Sequence, residues 1–276
     1  SYSEPHEYWD AIYPLLKDEE AKNSLFLGLC YRFKQNSSGC MYQGLAFSEG
    51  EPVSALMASQ YRTVCNLLPA KIKDETTANG LLSDFLGKKV KITGIVGEKE
   101  SASMFAKLLE GKGIKTSIQM SQGIYRCEEV QMPEVSENLV FRRASEKDIS
   151  KLGDWAERFH EEAVPHDPGY DGQELVRQKN KEGMFYVVEK LGQLVSLVGW
   201  SRNIGSSSSV NFVYTPKELR GNGYASYGVA MLTQKLLDEG CRETNLYTDM
   251  SNPTSNKIYQ NVGYNFVCHS THFRVE

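Results

Sequence analysis

The stretch Thr215–Ser226, TPKELRGNGYAS, follows an extended apolar run, Val210–Tyr214, and precedes a helical pattern. Glycines at Gly221 and Gly223 let the backbone adopt positive φ, or let a ligand come within hydrogen-bond distance of the main chain. A strand, a glycine turn and a helix start in this order bring unpaired N–H groups and the positive end of the helix dipole together. The stretch therefore predicts an anion-binding turn.

The spacing of the glycines excludes two common nucleotide-binding motifs. A P-loop requires GxxxxGK[ST], and a dinucleotide-binding fold requires GxGxxG. The glycines Gly221, Gly223 and Gly228 match neither pattern. The helix after the turn is predicted over Tyr224–Glu239, and Gly240 is placed to end it.

The composition is that of an ordinary soluble globular protein. A length of 276 residues favours two domains, and a net charge of −4 argues against a general nucleic-acid binder. The longest apolar runs, such as Leu194–Trp200, are far shorter than the ~20 residues that span a bilayer. Since the opening residues SYSEPHEYWD have neither a basic leader nor an apolar core, we expect a cytoplasmic protein without membrane or nucleic-acid partners.

The cysteine and histidine pattern predicts no metal site. The six cysteines are scattered, without a CxxC pair, and read as reduced thiols. His269 and His272 are three residues apart on a predicted strand, so their side chains lie on opposite faces.

The acidic, proline-containing stretch Glu128–Asn138 has no periodicity and divides the chain nearly in half. We predict an N-terminal domain at 1–130, a linker at 131–138 and a C-terminal domain at 139–276. In the first half, the patterns predict helices and strands in alternation, including one strand over Val53–Leu68. In the second, they predict a strand, two helices, three antiparallel strands, a helix, a strand, a helix and a last strand.

The segment VYTPKELRGNGYAS resembles the acetyl-coenzyme A signature of the GCN5-related N-acetyltransferase (GNAT) superfamily, Q/R-x-x-G-x-G/A, which Arg220–Ala225 fill in order. NPTSNKIYQNVGYNFV looks like the second signature of that superfamily. The resemblance covers the C-terminal half, whereas the N-terminal half lacks the signature and looks like a degenerate copy. It implies an α+β fold, with a central mixed and mostly antiparallel sheet flanked by helices, and two such domains in tandem.

The same resemblance implies acetyl-coenzyme A as cofactor and assigns the residues that hold it. The pantetheine arm would pair with the strand at Phe212, Val213 and Tyr214. The pyrophosphate would rest on the backbone N–H groups of Gly221, Asn222, Gly223, Tyr224 and Ala225, with Arg220 closing over it.

The helix after Pro253 places four polar side chains on one face, at i, i+3, i+4 and i+7: Asn252, Ser255, Asn256 and Tyr259. Asn252 and Asn256 are predicted to contact the cofactor, and Asn252 is also suited to cap the helix. The resemblance implies that Tyr259 is the general acid that protonates the departing thiolate. A packed aromatic ring is the alternative for this tyrosine.

The general base is missing from its usual place in the family. The strand SSSSVNFVY carries no carboxylate. The candidates lie in RFHEEAVPHDPGYD, in a segment that usually shapes the acceptor pocket: His160, Glu161, Glu162, His166 and Asp167. A solvated charged loop is the alternative.

Three functions are compatible with these patterns. The first is an acetyl-coenzyme A-dependent N-acetyltransferase that acts on a primary amine of a small molecule or peptide by direct attack in a ternary complex. The second is a non-catalytic coenzyme A-binding sensor or scaffold, and the third is an α/β domain with another ligand. Tyr259 and the intact turn favour the first. The sequence indicates neither the acceptor nor the oligomeric state.

Overall fold

The structure is a computed structural model that describes residues 1–135, 138–163 and 171–276. Its contacts define two compact units. Unit 1 consists of Ser1–Tyr125, Tyr247–Asn252 and Phe266–Glu276, and unit 2 of Arg126–Leu246 and Pro253–Asn265. The end of the chain thus belongs to unit 1. The domain boundaries given above, with a linker at 131–138, remain a prediction.

The first half of the chain forms helices and strands in this order: α1 (Pro5–Leu16), α2 (Glu20–Gln35), β1 (Cys40–Ser48), β2 (Glu51–Tyr61), β3 (Val64–Ala70), α3 (Glu75–Gly87), β4 (Gly94–Glu98), α4 (Lys99–Glu110) and β5 (Thr116–Cys127). The single strand predicted over Val53–Leu68 is wrong, because β2 and β3 are separated by a tight turn. That turn contains Arg62 at φ 53° and no glycine, proline or asparagine, so it lacks the usual sequence signal.

The second half forms β6 (Leu139–Arg143), α5 (Ile149–Ala163), α6 (Gly172–Lys181), β7 (Phe185–Lys190), β8 (Gln193–Ile204), β9 (Ser207–Tyr214), α7 (Tyr224–Asp238), β10 (Glu243–Asp249), α8 (Pro253–Asn261) and β11 (Asn265–Val275). Short 3₁₀ helices lie at Lys17–Glu19, Glu146–Asp148 and Lys217–Leu219. The order of elements matches the one predicted from the sequence for this half.

The sheet of unit 1 has the strand order β1-β2-β3-β4-β11-β5. β3 and β4 pair in parallel, whereas β1 with β2, β2 with β3 and β4 with β11 pair antiparallel. Helices α3 and α4 cover the sheet with fully buried side chains, including Leu82, Phe85, Phe105 and Leu109. Burial of each such side chain contributes about 1.5–3 kcal/mol.

The sheet of unit 2 has the order β10-β9-β8-β7-β6, with β9 and β10 parallel and the other pairs antiparallel. Helices α5 and α6 pack on one face, where Trp155 and Val176 meet Phe185 and Leu197. Helix α7 packs on the other face. Its Gly228 lies so close to β7 that an added Cβ would be 3.0 Å from Val188. The close approach of α7 to the sheet places the start of this helix beside the end of β9.

A buried ion pair holds the edge strand β6 in unit 2. The Arg142 guanidinium donates to both carboxylate oxygens of Asp148, at 2.7 and 2.9 Å, and to Glu189 on β7. The same Asp148 carboxylate accepts the backbone N–H and the hydroxyl of Ser145 and so caps the turn that leads into α5. Burial alone would raise the pKa of Asp148, but these hydrogen bonds outweigh it and lower the pKa to about 2.

We expect Asp148→Asn to lower the free energy of unfolding by about 2 kcal/mol at pH 7, because the folded pKa is lower than that of an unfolded aspartate, about 3.9. This contribution is present above pH 4 and is lost as the pH falls towards 2. The difference between variant and wild type in urea unfolding should therefore shrink between pH 7 and pH 3. Glu146→Gln, a neighbouring exposed acid, is the control, and an equal pH dependence for both variants would contradict the assignment.

Candidate functional site

Strand β9 contains a bulge near its end. β8 and β9 pair at Gly199↔Asn211 and at Leu197↔Tyr214, so three steps on β9 oppose two on β8. The extra residue lies at Phe212, whose φ is 49°. A bulky aromatic residue rarely adopts this left-handed conformation, which costs free energy that the surrounding structure must supply. Bulges of this kind are common beside functional sites, since they redirect the backbone groups of the strand.

The side of β9 that faces β10 is only partly paired. The parallel ladder runs from Glu243↔Ser207 to Asn245↔Ser209. Within the described part of unit 2, the ladder ends there, and Val210–Tyr214 have no partner on the β10 side. The bulge and the end of this ladder coincide. The last residues of β9 can therefore bond an extended ligand with amide groups, as an added strand would.

The turn before α7 presents a group of backbone donors. Gly221 has φ 83° and Gly223 has φ 77°, and both are exposed, with no atom within 4 Å of an added Cβ. For the N–H groups of residues 221–226, no acceptor is found in the described chain. These groups lie at the positive end of the α7 dipole, so the turn can bind an anion such as a phosphate.

The side chains of the turn face away from these donors. Arg220 donates from Nε to the carbonyl oxygen of Thr215, at 2.9 Å, and from Nη2 to Glu162 on α5, at 2.8 Å. Asn222 donates to the carbonyl oxygen of Leu219. The Tyr224 ring is buried, and its hydroxyl accepts from Lys190. Of the residues predicted here, Gly221–Ala225 offer backbone groups to a ligand, whereas the guanidinium of Arg220 contacts α5.

Helix α8 carries Tyr259, which is 9 % exposed and packs edge-to-face on Tyr264 at 6.1 Å between ring centres. Burial raises the pKa of Tyr259 to about 12. No hydrogen bond to its hydroxyl is found among the described residues. The Tyr264 hydroxyl, in contrast, bonds Thr233 at 2.8 Å and Thr244 at 2.9 Å. Tyr259 thus keeps its proton over the working pH range.

The two asparagines predicted on this helix differ in setting. Asn252 is exposed and directly precedes α8, at the position predicted for the cap. Asn256 is half-buried on α8 itself. They belong to different compact units, and each remains a predicted cofactor contact.

Of the five candidates for the general base, three lie on α5. His160 is buried on α5, and Glu161 is exposed near the end of the same helix. Glu162 bonds Arg220 and lies 3.8 Å from the ammonium of Lys217. His166 and Asp167 lie outside the described residues.

Unit 1 repeats the order of elements of unit 2 but differs at the corresponding helix start. Helix α3 follows β3 as α7 follows β9. Its N-cap is Asp74, whose carboxylate accepts the N–H of Thr77 at 2.7 Å. A carboxylate therefore occupies the helix terminus that Gly223 leaves open in α7. An anion would meet charge repulsion at the start of α3.

A group of polar side chains beside the bulge was missed by sequence reasoning; we call Ser201, Arg202, Ser209 and Asn211 the polar strip. Asn211 donates from Nδ2 to the hydroxyl of Ser201, at 2.6 Å, and Arg202 donates from Nε to the hydroxyl of Ser209, at 3.1 Å. Ser209 in turn donates to Asn245 on β10. The polar run SSSSVN within a predicted strand is the sequence signal for this group, because polar residues on a central strand need partners.

Neither a membrane span nor a metal site is found in the parts of the chain that the structure describes. Every helix there is too short or too polar to cross a bilayer. No group of three or more histidine, cysteine, aspartate or glutamate residues there is arranged to hold a metal ion. All six cysteines are free thiols.

Comparisons with known proteins agree with this geometry. Residues 149–264 match the model of the acetyltransferase (GNAT) family. No curated protein sequence matches the chain.

Solved structures resemble the whole chain. A GCN5-related N-acetyltransferase from Sphaerobacter thermophilus has a TM-score of 0.66 at 13 % identity, over 98 % of this chain and 92 % of that one. One from Kribbella flavida has a TM-score of 0.62 at 15 % identity, over 93 % and 95 %. A tandem GNAT protein from the clavulanic acid biosynthesis pathway has 0.62 at 11 %, over 99 % and 94 %. At these identities the likeness shows the fold, and the predicted fold class is confirmed.

We expect the two neighbouring tyrosines to differ in their contribution to stability. Tyr264→Phe removes two hydrogen bonds and leaves two buried threonine hydroxyls without that partner, which should cost about 1–3 kcal/mol. Tyr259→Phe removes no hydrogen bond within the described chain and should change the free energy of unfolding by less than about 0.5 kcal/mol. Urea unfolding of both variants measures the difference. An equal loss in the two variants would mean that the Tyr259 hydroxyl is also structural.

Proposed function

Since residues 149–264 carry a domain of the acetyltransferase (GNAT) family, we propose that this chain transfers the acetyl group of acetyl-coenzyme A to a primary amine of a small molecule or peptide. The match confirms two predictions from the sequence, the GNAT superfamily and the enzyme class of acyltransferase. The acetyl donor, the acceptor and direct attack in a ternary complex are the proposal. A cytoplasmic location is also part of the proposal.

The observation that carries the proposal is the start of α7. Two left-handed glycines, Gly221 and Gly223, and the N–H groups of residues 221–226 without acceptors in the described chain suit the pyrophosphate of coenzyme A. In this proposal the backbone is the main phosphate ligand. The Arg220 guanidinium is paired with the Glu162 carboxylate, so the turn relies on its backbone N–H groups.

The open side of β9 suits the pantetheine arm. Its two amide groups can bond the backbone of Phe212, Val213 and Tyr214 as a short added strand. The left-handed Phe212 turns these backbone groups out of the ladder with β8. Phe212 is held in this conformation by ring contacts with Phe159 and Phe185 at 5.1 and 5.2 Å.

The coenzyme, when bound, supplies an activated acetyl thioester. This chain must hold the acceptor amine and provide a proton for the sulfur. Tyr259 donates its hydroxyl proton to the sulfur as the carbon–sulfur bond breaks and the carbon–nitrogen bond forms. One amine proton leaves to water or to a base from the α5 segment, so the products are an amide and a thiol. A pKa of about 12 keeps Tyr259 protonated, so this group causes no loss of rate between pH 7 and 10.

Unit 1 is proposed to bind no coenzyme, because the Asp74 carboxylate fills its helix terminus. The expected stoichiometry is therefore one coenzyme per chain. Calorimetric titration of acetyl-coenzyme A into the full chain tests the proposal, and no binding would contradict it. Binding without thiol release in the presence of any amine would favour the coenzyme A sensor.

Replacing Gly223 by valine should weaken coenzyme A binding by roughly 10- to 100-fold, since a β-branched residue is strained by about 1–3 kcal/mol at φ 77°. Gly240→Val is the matched control. Gly240 also has a left-handed φ, 103°, and no atom within 4 Å of an added Cβ, but it follows the opposite end of α7. Both variants should lose similar stability, and only Gly223→Val should lose affinity. Equal affinities, measured by calorimetry, would mean that the turn is only structural.

Tyr259→Phe should lower kcat by roughly 10²–10⁴-fold, the usual contribution of one positioned general acid, and leave coenzyme A affinity unchanged. Tyr264→Phe is the control and should show the opposite pattern, with lower stability and nearly normal kcat. Thiol release from acetyl-coenzyme A measures kcat once an acceptor is in hand. Full kcat in Tyr259→Phe would remove the acid role from this residue.

A further inference from the structure

Near the end of α5, the carboxylate of Glu162 pairs with two cations from the segment that leads into the turn before α7. Its Oε2 accepts from Nη2 of Arg220 at 2.8 Å, and its Oε1 lies 3.8 Å from Nζ of Lys217. Each carboxylate oxygen therefore faces one cation. Lys217 begins the 3₁₀ helix before the turn, and Arg220 directly precedes Gly221.

We propose that Glu162 competes with the pyrophosphate of coenzyme A for Arg220 and Lys217 and so sets the affinity of the coenzyme site. This inference rests on the proposed function and adds two roles to it, Glu162 as the competitor and Lys217 as a phosphate ligand. The carboxylate lowers the affinity for the coenzyme. Lower affinity speeds release of the product coenzyme A, a step that limits the rate of many enzymes.

The Arg220 guanidinium can exchange Glu162 for a phosphate with little rearrangement. Its Nε donates to the carbonyl oxygen of Thr215 at 2.9 Å, and its Cζ lies 5.9 Å from the centre of the Tyr214 ring. A guanidinium has five N–H donors, and the bond to Glu162 uses a different nitrogen, Nη2. A phosphate that replaces the carboxylate at Nη2 therefore leaves the bond to Thr215 in place.

The three charged side chains are accessible to solvent, so their pairing is weak enough to be displaced. The exposed fractions are 45 % for Arg220, 35 % for Glu162 and 73 % for Lys217. Exposed ion pairs contribute little, because water and salt screen them and two flexible side chains must be ordered. A pyrophosphate carries more negative charge than a carboxylate and is a strong partner for a guanidinium. The coenzyme therefore wins the competition, and its affinity is reduced by the strength of the pairing that it displaces.

The backbone donors of the turn make the competition one-sided. Within the described chain, Glu162 bonds the side chains of Arg220 and Lys217 and none of the N–H groups of residues 221–226. These N–H groups lie at the positive end of the α7 dipole and attract an anion that Glu162 repels. The turn thus binds the pyrophosphate, and Glu162 limits how tightly.

The experiment compares wild type with Glu162→Gln by calorimetric titration of three probes: coenzyme A, 3′-dephospho-coenzyme A and pantetheine. The variant should bind coenzyme A roughly 3- to 10-fold more tightly, the range expected when an exposed ion pair is removed beside an anion. The gain should be the same with 3′-dephospho-coenzyme A, which keeps the pyrophosphate. Pantetheine has no phosphate, and its affinity should not change.

Glu218→Gln is the matched control. It removes the same charge from an exposed residue next to Lys217, and no ion pair of Glu218 is found in the described chain. It should change the affinity for coenzyme A by less than about twofold, because exposed charges without a direct contact are screened.

A double variant tests whether the two cations carry the effect. In a chain with both Lys217→Gln and Arg220→Gln, the further change Glu162→Gln should bring no gain in affinity, since the groups for which it competes are gone. All these side chains are exposed, so melting temperatures should stay within about 4 °C of wild type and show that every variant folds.

The outcomes separate this inference from the proposed function. Equal affinities of wild type and Glu162→Gln for coenzyme A overturn the inference alone. So does a gain that appears equally with pantetheine, in Glu218→Gln or in the double variant, or one that is lost with 3′-dephospho-coenzyme A. If coenzyme A binds to none of these chains, the proposed function is contradicted, and the inference falls with it.

Discussion

The end of the parallel ladder after Ser209 is the constraint on which the rest of unit 2 depends. If the two parallel strands stayed paired along their whole length, β9 would leave no backbone group on that side for a ligand such as the proposed pantetheine arm. The left-handed Phe212, which packs against Phe159 and Phe185, turns the last residues of β9 out of the ladder with β8. Strain at one residue is thus balanced by packing in the core under α5 and α6.

The two units differ in a second feature, the residue that caps the helix after the third strand. Both have three antiparallel strands, a helix and a parallel strand in the same order. At the start of the helix, unit 1 has an aspartate whose carboxylate accepts a backbone N–H of that helix. Unit 2 has a glycine there, which has no side chain to accept one. A stabilising cap and an anion site are alternative uses of the same N–H groups. The residue at the N-cap, Asp74 in unit 1 and Gly223 in unit 2, decides whether a side chain bonds these N–H groups.

Much of the fold of unit 2 follows from its sequence, because periodicity, caps and turn glycines agree locally. The order of helices and strands in the second half coincides with the prediction. The turn before α7, with its two left-handed glycines, was also predictable, since two glycines and a helix start are local features. The polar strip was not, because its members come from two strands whose register depends on bulges at Phe212 and near Arg202. A shift of one residue changes the face of every side chain that follows, and no local pattern announces it.

The position of β11 has a consequence for synthesis of the chain. This strand lies between β4 and β5 in the order of the unit 1 sheet, although roughly 150 residues separate Cys127 from the end of the chain. At about 5–20 residues per second, the ribosome needs roughly 8–30 s to make that remainder. During this time β4 lacks its antiparallel partner, and a nascent unit 1 exposes an open strand edge. The half of the chain that is made first therefore completes its sheet only after β11 has been made.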